Sequence, residues 1–442
     1  MPTVNLRNSR PLLAAKALHF RGLTVFKGRL TPLVYSGSAV ANAIAQLVAG
    51  VLMVKWIIPE DLGLWQSVRL SQVYAVILLF GINNGLSREL PYFLGKNDRV
   101  FAEKLAGTTL LFTNLASIIV LVGGFGCALI FGTHDPRLIF AIGAMALLIP
   151  LSFYQNFLLV AYRSQDAFKK LTLIQFVGAG MALASVLFVY YWGYRGMVIR
   201  LVVISGIVVA WMYVSRPIRA APALDRGALK LLLKTGLPIF GLDYLLNAAG
   251  TSDRVVLLHI GGVEAVGYYG LAQIAYGTLH VIPQSLSQYV YPRMTSDFGQ
   301  HGDKRNLWKI GFRFVAFATV LMVLAAICGI VALPYVVPVF APKYLAGLRA
   351  AEIILTAGIF EGAGIMVNAL WSMKAWKMMV IYQISASALL ALGPILGAAL
   401  IGRTLEGVAW GVVAGSFGRC VLALGITYLA TRQDRSALLS KS

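Results

Sequence analysis

The sequence predicts an all-α polytopic membrane protein of about twelve transmembrane helices, arranged as two related six-helix halves. Three observations carry that prediction: an apolar composition, the lengths of the apolar runs, and a block of residues that occurs twice. Of 442 residues, 59% are hydrophobic and only 12% charged, and the mean hydropathy is +0.77. A soluble domain carries about 25% charged residues, so this chain lacks the charge to cover a water-facing surface. The apolar runs lie near 33–57, 66–88, 105–131, 138–162, 171–192, 196–214, 235–260, 265–291, 310–332, 346–371, 378–401 and 406–430. Each approaches or exceeds the roughly 20 residues that cross a hydrocarbon core about 30 Å thick.

The repeated block reads K-W-I-I-P-E-D-L-G-L-W-Q-S-V-R-L-S at 55–71 and H-I-G-G-V-E-A-V-G-Y-Y-G-L-A-Q-I-A at 259–275. At this offset Glu60 falls on Glu264, Leu62 on Val266, Gly63 on Gly267 and Trp65 on Tyr269. Each copy joins two apolar runs, so the chain reads as two membrane halves in tandem, and parallel repeats are one way of building a transporter. The charges are not repeated: Arg69 faces Gln273, and Arg254 faces Gly50. The expected organisation is a basic segment at 1–32, a first lobe at 33–214, a linker at 215–234 containing Pro217 and Pro222, a second lobe at 235–430 and a tail at 431–442.

A net charge of +21 would point to nucleic acid in a soluble protein. Here its placement matters more. Lys and Arg concentrate in the N-terminal segment and in alternate loops, including Lys96, Arg99, Arg163, Lys169, Arg216, Arg226, Lys304, Lys374 and Arg432. The opposite loops hold only Lys55, Arg137, Arg195, Lys343, Arg349 and Arg403. Positive-inside reasoning makes the basic side cytoplasmic, with both termini on it, and leaves no nucleic-acid partner to explain. No cleavable signal is expected, because residues 1–32 are basic and broken by Pro11 and Pro32. The stretch 12–26 reads as a plain lead-in or as a helix lying on anionic headgroups. Cys127, Cys328 and Cys420 lack metal spacing, no G-x-x-x-x-G-K-[ST] phosphate loop exists, and the five histidines are scattered. No cofactor and no metal are expected.

Ionisable groups inside a bilayer are expensive and turn toward a cavity or a partner. Arg69 and Arg254 each fall about 7 Å inside the non-basic ends of the second and seventh runs. If both point inward, they form a cationic patch suited to a phosphate or diphosphate; snorkelling to headgroups is the competing account. Asp253 is a neighbour of Arg254, and Asp243 lies deeper in the same run as a candidate ion-coupling or vestibule group. Glu361 and Arg419, near the middles of the tenth and twelfth runs, read as a structural ion pair. Asn42, Gln46, Asn84, Asn247 and Gln288 add amides that suit sugar hydroxyls or interhelical bonds equally well. Pro150, Pro238, Pro283 and Pro394 interrupt helices, as membranes tolerate where neighbours satisfy the freed backbone. Glu60 and Asp61 would matter in a membrane glycosyltransferase, although a turn explains them too.

Several stretches carry a resemblance. P-E-D-L-G-L-W after the first run, N-N-G-L-S-R-E-L-P-Y-F at the end of the second and K-T-G-L-P-I-F opening the seventh resemble polysaccharide flippases. So do D-R-V-V-L-L-H-I-G-G-V-E-A-V-G-Y-Y and I-P-Q-S-L-S-Q-Y-V-Y-P-R-M. These flippases belong to the multidrug/oligosaccharidyl-lipid/polysaccharide exporter superfamily, and the likeness spans about 30–430. The resemblance implies two lobes in a V around a central cavity lined by the first, second, seventh and eighth helices. It gives weight to Arg69, Asp243, Asp253 and Arg254, and makes Arg200, Glu361 and Arg419 peripheral. It implies a non-enzymatic, multi-pass protein of the bacterial inner membrane. Such a protein would flip a polyprenyl-diphosphate-linked oligosaccharide for O-antigen, capsule or exopolysaccharide synthesis by alternating access. Its partners would be that substrate, membrane lipid, a polysaccharide polymerase and a chain-length regulator. Three alternatives stay open on sequence: a cation-coupled drug exporter of the same superfamily, a lipid II flippase and a membrane glycosyltransferase.

Overall fold

The computed structural model describes residues 37–38, 41–131 and 135–432; the basic segment 1–32, its stretch 12–26 and the tail beyond 432 lie outside the described residues. The described chain is helical throughout, without strands. Its helices are α1 (Ala41–Val54), α2 (Pro59–Ala75), α3 (Ile82–Gly95), α4 (Arg99–Phe131), α5 (Pro136–Ser164), α6 (Phe168–Ala184) and α7 (Val186–Val214). The second half continues with α8 (Arg226–Ala249), α9 (Ser252–Tyr268), α10 (Gly270–His301), α11 (Lys304–Phe340), α12 (Leu348–Phe360), α13 (Val367–Ser372), α14 (Trp376–Leu400) and α15 (Leu405–Arg432). Eight helical stretches, Pro59–Leu79 and Pro342–Ser372 among them, are long and apolar enough to cross a membrane by themselves. A further pair, Arg226–Tyr268 and Gly270–His301, is bent by 69°.

The remaining crossings are hidden by breaks inside helices. At Gly193 the backbone leaves helical geometry with φ 52° and ψ −127°. A Cβ on Gly196 would strike the carbonyl oxygen of Phe188, whereas residues eight apart in a straight helix stand about 12 Å apart. The chain therefore doubles back at Gly193, and the second part of α7 is a separate crossing. Gly262 (φ 66°, ψ −162°) makes the corresponding break in α9. After it, Gln273 returns to donate to Asp253 Oδ2 at 2.7 Å. In the first half the same corner is made by Pro59 at the helix start after extended Ile58. Proline in one copy and glycine in the other solve one geometric problem.

Helices outrun the apolar runs on both sides. The linker expected over 215–234 ends at Asp225, because α8 is helical from Arg226. Helix α11 starts at Lys304 and passes through Pro334 and Pro338 to Phe340, beyond both ends of the apolar run at 310–332. Hydropathy marks the hydrocarbon-crossing part of a helix; charged residues such as Lys and Arg are good helix formers and extend it into water. Large apolar side chains such as Val122 and Leu400, 70% and 81% exposed, face outward, as a lipid-facing surface requires. Buried clusters hold the helices together, one centred on Leu105, Phe157, Tyr162 and Met212 of the first half and reaching Leu232 of α8, the other on Tyr269, Tyr344, Ile354 and Val408 of the second and reaching Val54 of α1.

Asp225 caps α8, accepting from the Ala228 N–H at 2.8 Å, and pairs with Lys104 Nζ of α4 at 3.2 Å. The Ala228 N–H and the Lys104 ammonium hold its carboxyl below the ordinary 3.8. A depressed folded-state pKa gives a contribution that is complete above the unfolded value and lost as pH falls through the folded one. Thermal unfolding of wild type and Asp225→Ala should therefore differ at neutral pH, and the gap should close as pH drops below about 4. A gap independent of pH would contradict this account.

Candidate functional site

The two copies of the repeat pack directly on one another. A Cβ on Gly63 would collide with the Val263 carbonyl oxygen, and one on Gly267 with that of Pro59. Only glycine lets the α2 and α9 backbones approach so closely. Tyr344 adds a hydrogen bond from its hydroxyl to the Ile57 carbonyl at 3.2 Å, closing the end away from the basic loops. Toward the basic side the lobes meet again between α3 and α8. There Gly81 and Gly236 abut each other's backbone, Gly85 abuts Leu232, and Thr235 donates to Glu89 at 2.9 Å.

Behind this seam lies a cavity of about 700 Å³ that reaches from Arg69 and Arg254 to Arg163, at the basic end of α5. The structure brings Arg69 of one half and Arg254 of the other into this one space, together with Asn84, Asp243 and Asn247. Arg69 is exposed, and what it is exposed to is the cavity. Among the described residues it has no hydrogen-bond or ion-pair partner. Arg254 is held loosely, with Nη2 donating to the Gly250 carbonyl at 3.2 Å and Nε to Asp253 at 3.5 Å. Asn84 donates to Asp243 across the lobes at 3.4 Å. The cavity thus has three guanidinium groups against one carboxylate, a field that favours anions.

Other expected residues lie elsewhere. Asp253 is buried and turned into the second lobe, accepting from the Arg254 N–H and from Gln273. It lines a separate space of about 300 Å³ with Gln273, Tyr276, His280 and Arg419. Beside that space Glu361 is paired with Arg419, accepts from the Tyr276 hydroxyl at 2.7 Å and lies 3.6 Å from His280 Nδ1. Asn42 is half-buried near Gly178 of α6, and Gln46 and Gln288 are exposed. None of these three is among the residues lining the central cavity. Helix α1 turns toward α6 and α7 instead, with Ser38 donating to Gln175 at 3.4 Å and Arg200 reaching Met53 Sδ at 2.6 Å. The lining that the resemblance implies from the first and eighth predicted runs, here α1 and α10, is replaced by α5, which supplies Ser152, Asn156 and Arg163. Their spacing of four and seven residues places them on one helical face, a signal visible in the sequence and missed. Asn83 also lines the cavity, but its amide atoms are buried beside it and make no hydrogen bond among the described residues.

Glu60 and Asp61 are both bonded to Arg137, at 2.9 and 3.1 Å, with Asp135 on the same guanidinium at 3.4 Å. Among the described residues no group of three or more metal-type ligands exists. The acidic pair is an ion-paired corner of the fold.

With that geometry in place, comparison with known proteins assigns the chain. The profile of a polysaccharide biosynthesis protein family matches residues 52–346, both copies of the repeat included. The chain belongs to that family. No curated protein matches it in sequence. Among solved structures, the fold of this polysaccharide biosynthesis protein is similar to an inward-facing multidrug resistance MATE family transporter of the MOP superfamily. The TM-score is 0.67 at 17% identity, over 93% of this chain and 99% of that one. An outward-facing MATE family transporter gives 0.63 at 16% identity, over 93% and 96%. The lipid II flippase MurJ in an inward closed conformation gives 0.66 at 12%, over 90% and 87%. The shared architecture is a helical transporter fold of two lobes.

Proposed function

We propose that this protein flips a polyprenyl-diphosphate-linked oligosaccharide across the bacterial inner membrane, as a precursor of O-antigen, capsule or exopolysaccharide. The observation that carries the reading is the convergence of Arg69 and Arg254, one from each half, on a cavity where Arg69 has no partner among the described residues. A diphosphate supplies the missing anion, and planar guanidinium groups bind its oxygens two at a time. Asn84, Asn156 and Asn247 offer amides to the glycan. The basic ends of the helices face the cytoplasm on this reading, so the cavity is reached from the side on which the precursor is made. Membership of a polysaccharide biosynthesis family supports the glycan, and the two-lobed transporter fold supports rocking between faces.

In liposomes, Arg69→Ala and Arg254→Ala are each expected to weaken the apparent affinity for a lipid-linked oligosaccharide roughly 10- to 150-fold, the value of a hydrogen bond to a charged group. Both variants should insert and unfold like wild type. Wild-type transport in both would remove the diphosphate site. Transport of cationic drugs with no response to lipid-linked glycan would move the protein to the drug-exporter branch.

A further inference from the structure

The seam between the lobes is shut by glycine contacts at two heights, and between them it is only bolted. Gly63 and Gly267 close one end, and Gly81, Gly85 and Gly236 the other. Midway, Tyr74 of α2 and Thr251 share a hydrogen bond at 3.0 Å between their hydroxyls. On the inner side of that bond lies the cationic cavity, lined by Val73 and Asn247 just beside it. On the outer side lies a groove of about 490 Å³ on the membrane face, formed by Tyr74, α8, α9 and α14. Leu245, Val255 and Ile384 wall it, and Ala248 and Ala391 leave the space. Its two serine hydroxyls are spent on backbone: Ser252 donates to Leu390 and Ser387 to Gln383, at 2.6 and 2.7 Å. From Ile384 to Ile395 the groove follows α14 for about 16 Å.

A polar cationic space and an apolar groove divided by one hydrogen bond fit a ligand with an anionic head inside the protein and a long hydrocarbon chain outside it. Thr251 stands in the two-residue turn between α8 and α9 (φ −105°, ψ −1°), so the bolt sits where the helix is interrupted by a turn. We propose that the groove holds the polyisoprenoid tail of the substrate while its diphosphate occupies the Arg69–Arg254 cavity, with Tyr74–Thr251 as the latch between them. This rests on the diphosphate reading of that cavity. As the lobes rock, the two glycine contacts part in turn, and the tail stays in the window between them. A phospholipid fits less well: its charged head belongs at the membrane surface, whereas the cationic cavity beside this groove lies between the lobes, midway along the seam.

The test uses the full-length protein in nanodiscs and a polyprenyl diphosphate with a diazirine on its chain. Labelling is expected within 245–256 and 384–395. Ala391→Trp, which fills the groove away from the cavity, should reduce labelling and transport about tenfold, while Leu392→Trp, facing lipid one residue along, should behave as wild type. Tyr74→Phe should increase groove labelling. Labelling spread over all lipid-facing helices, equal displacement by phosphatidylglycerol, or wild-type transport by Ala391→Trp would overturn the groove. Loss of transport in Arg69→Gln with wild-type transport in Ala391→Trp removes the groove and leaves the cavity. Groove labelling by diazirine-bearing polyprenol, together with wild-type transport in both Arg69→Gln and Arg254→Gln, removes the diphosphate and leaves the groove.

Discussion

Glu361→Ala is expected to destabilise the folded protein by about 3–5 kcal/mol, because it strands a guanidinium inside the second lobe. Glu361 is buried at 3% exposure and accepts from Arg419 of α15 and from Tyr276 of α10. It opens the 3₁₀ turn Glu361–Met366 that joins α12 to α13. One carboxylate therefore ties three crossings, and removing it leaves a cation and a hydroxyl without their acceptor. The double variant Glu361→Leu/Arg419→Met should recover most of the loss, since an apolar pair avoids the desolvation that the charged pair must offset. Unfolding in detergent, read from the single and double variants, decides it. A single-variant loss under about 1 kcal/mol, the size seen for exposed pairs, would show that the pair does not organise the lobe.

The second large effect is expected at the glycine contact between the repeats. Valine at Gly267 would press against the Pro59 carbonyl, and a backbone cannot swing aside as a side chain does. Overpacking of this kind costs about 1–3 kcal/mol, which corresponds to roughly 5- to 150-fold in a two-state equilibrium. The wedge acts only where the lobes meet, so it should hold open the end away from the basic loops and stall the transport cycle. Distances between spin labels on α2 and α9 should lengthen in Gly267→Val and in Gly63→Val. Gly277→Val is the control, because a Cβ there meets nothing within 4 Å. Unchanged distances with full transport in both wedge variants would mean that this contact is not a gate.

The residue pattern disclosed more of the scaffold than of the cavity. The repeat at 55–71 and 259–275 was legible from glycine and acidic punctuation, but its packing face to face was not. Nothing in a one-dimensional match says that the Gly63 and Gly267 faces meet. Arg69 and Arg254 stood out because they were unmatched charges in apolar runs. Asp253, next to Arg254, stood out for the same reason, yet the helical turn sends its carboxylate into the second lobe. Asn42 and Gln46 looked equivalent to Asn84 by composition. They differ because α1 leans on α6 and α7, whereas α3 faces α8. The α5 face of Ser152, Asn156 and Arg163 was overlooked because each is unremarkable alone, and its meaning depends on which way α5 is rotated.

The sequence by itself determined the class of molecule. Too little charge for water, apolar runs of bilayer length, one-sided Lys and Arg and a tandem repeat admit few solutions other than a two-lobed helical membrane protein. Those are properties of the chain against its solvent, and periodicity and composition record them directly. Only the tertiary structure decided which charges share a space, where the lobes touch and which face opens to lipid. These depend on helix rotation and on contacts between residues some 150 to 290 positions apart, which no local pattern encodes. The latch between Tyr74 and Thr251, two ordinary residues 177 apart, is visible only once the halves are assembled.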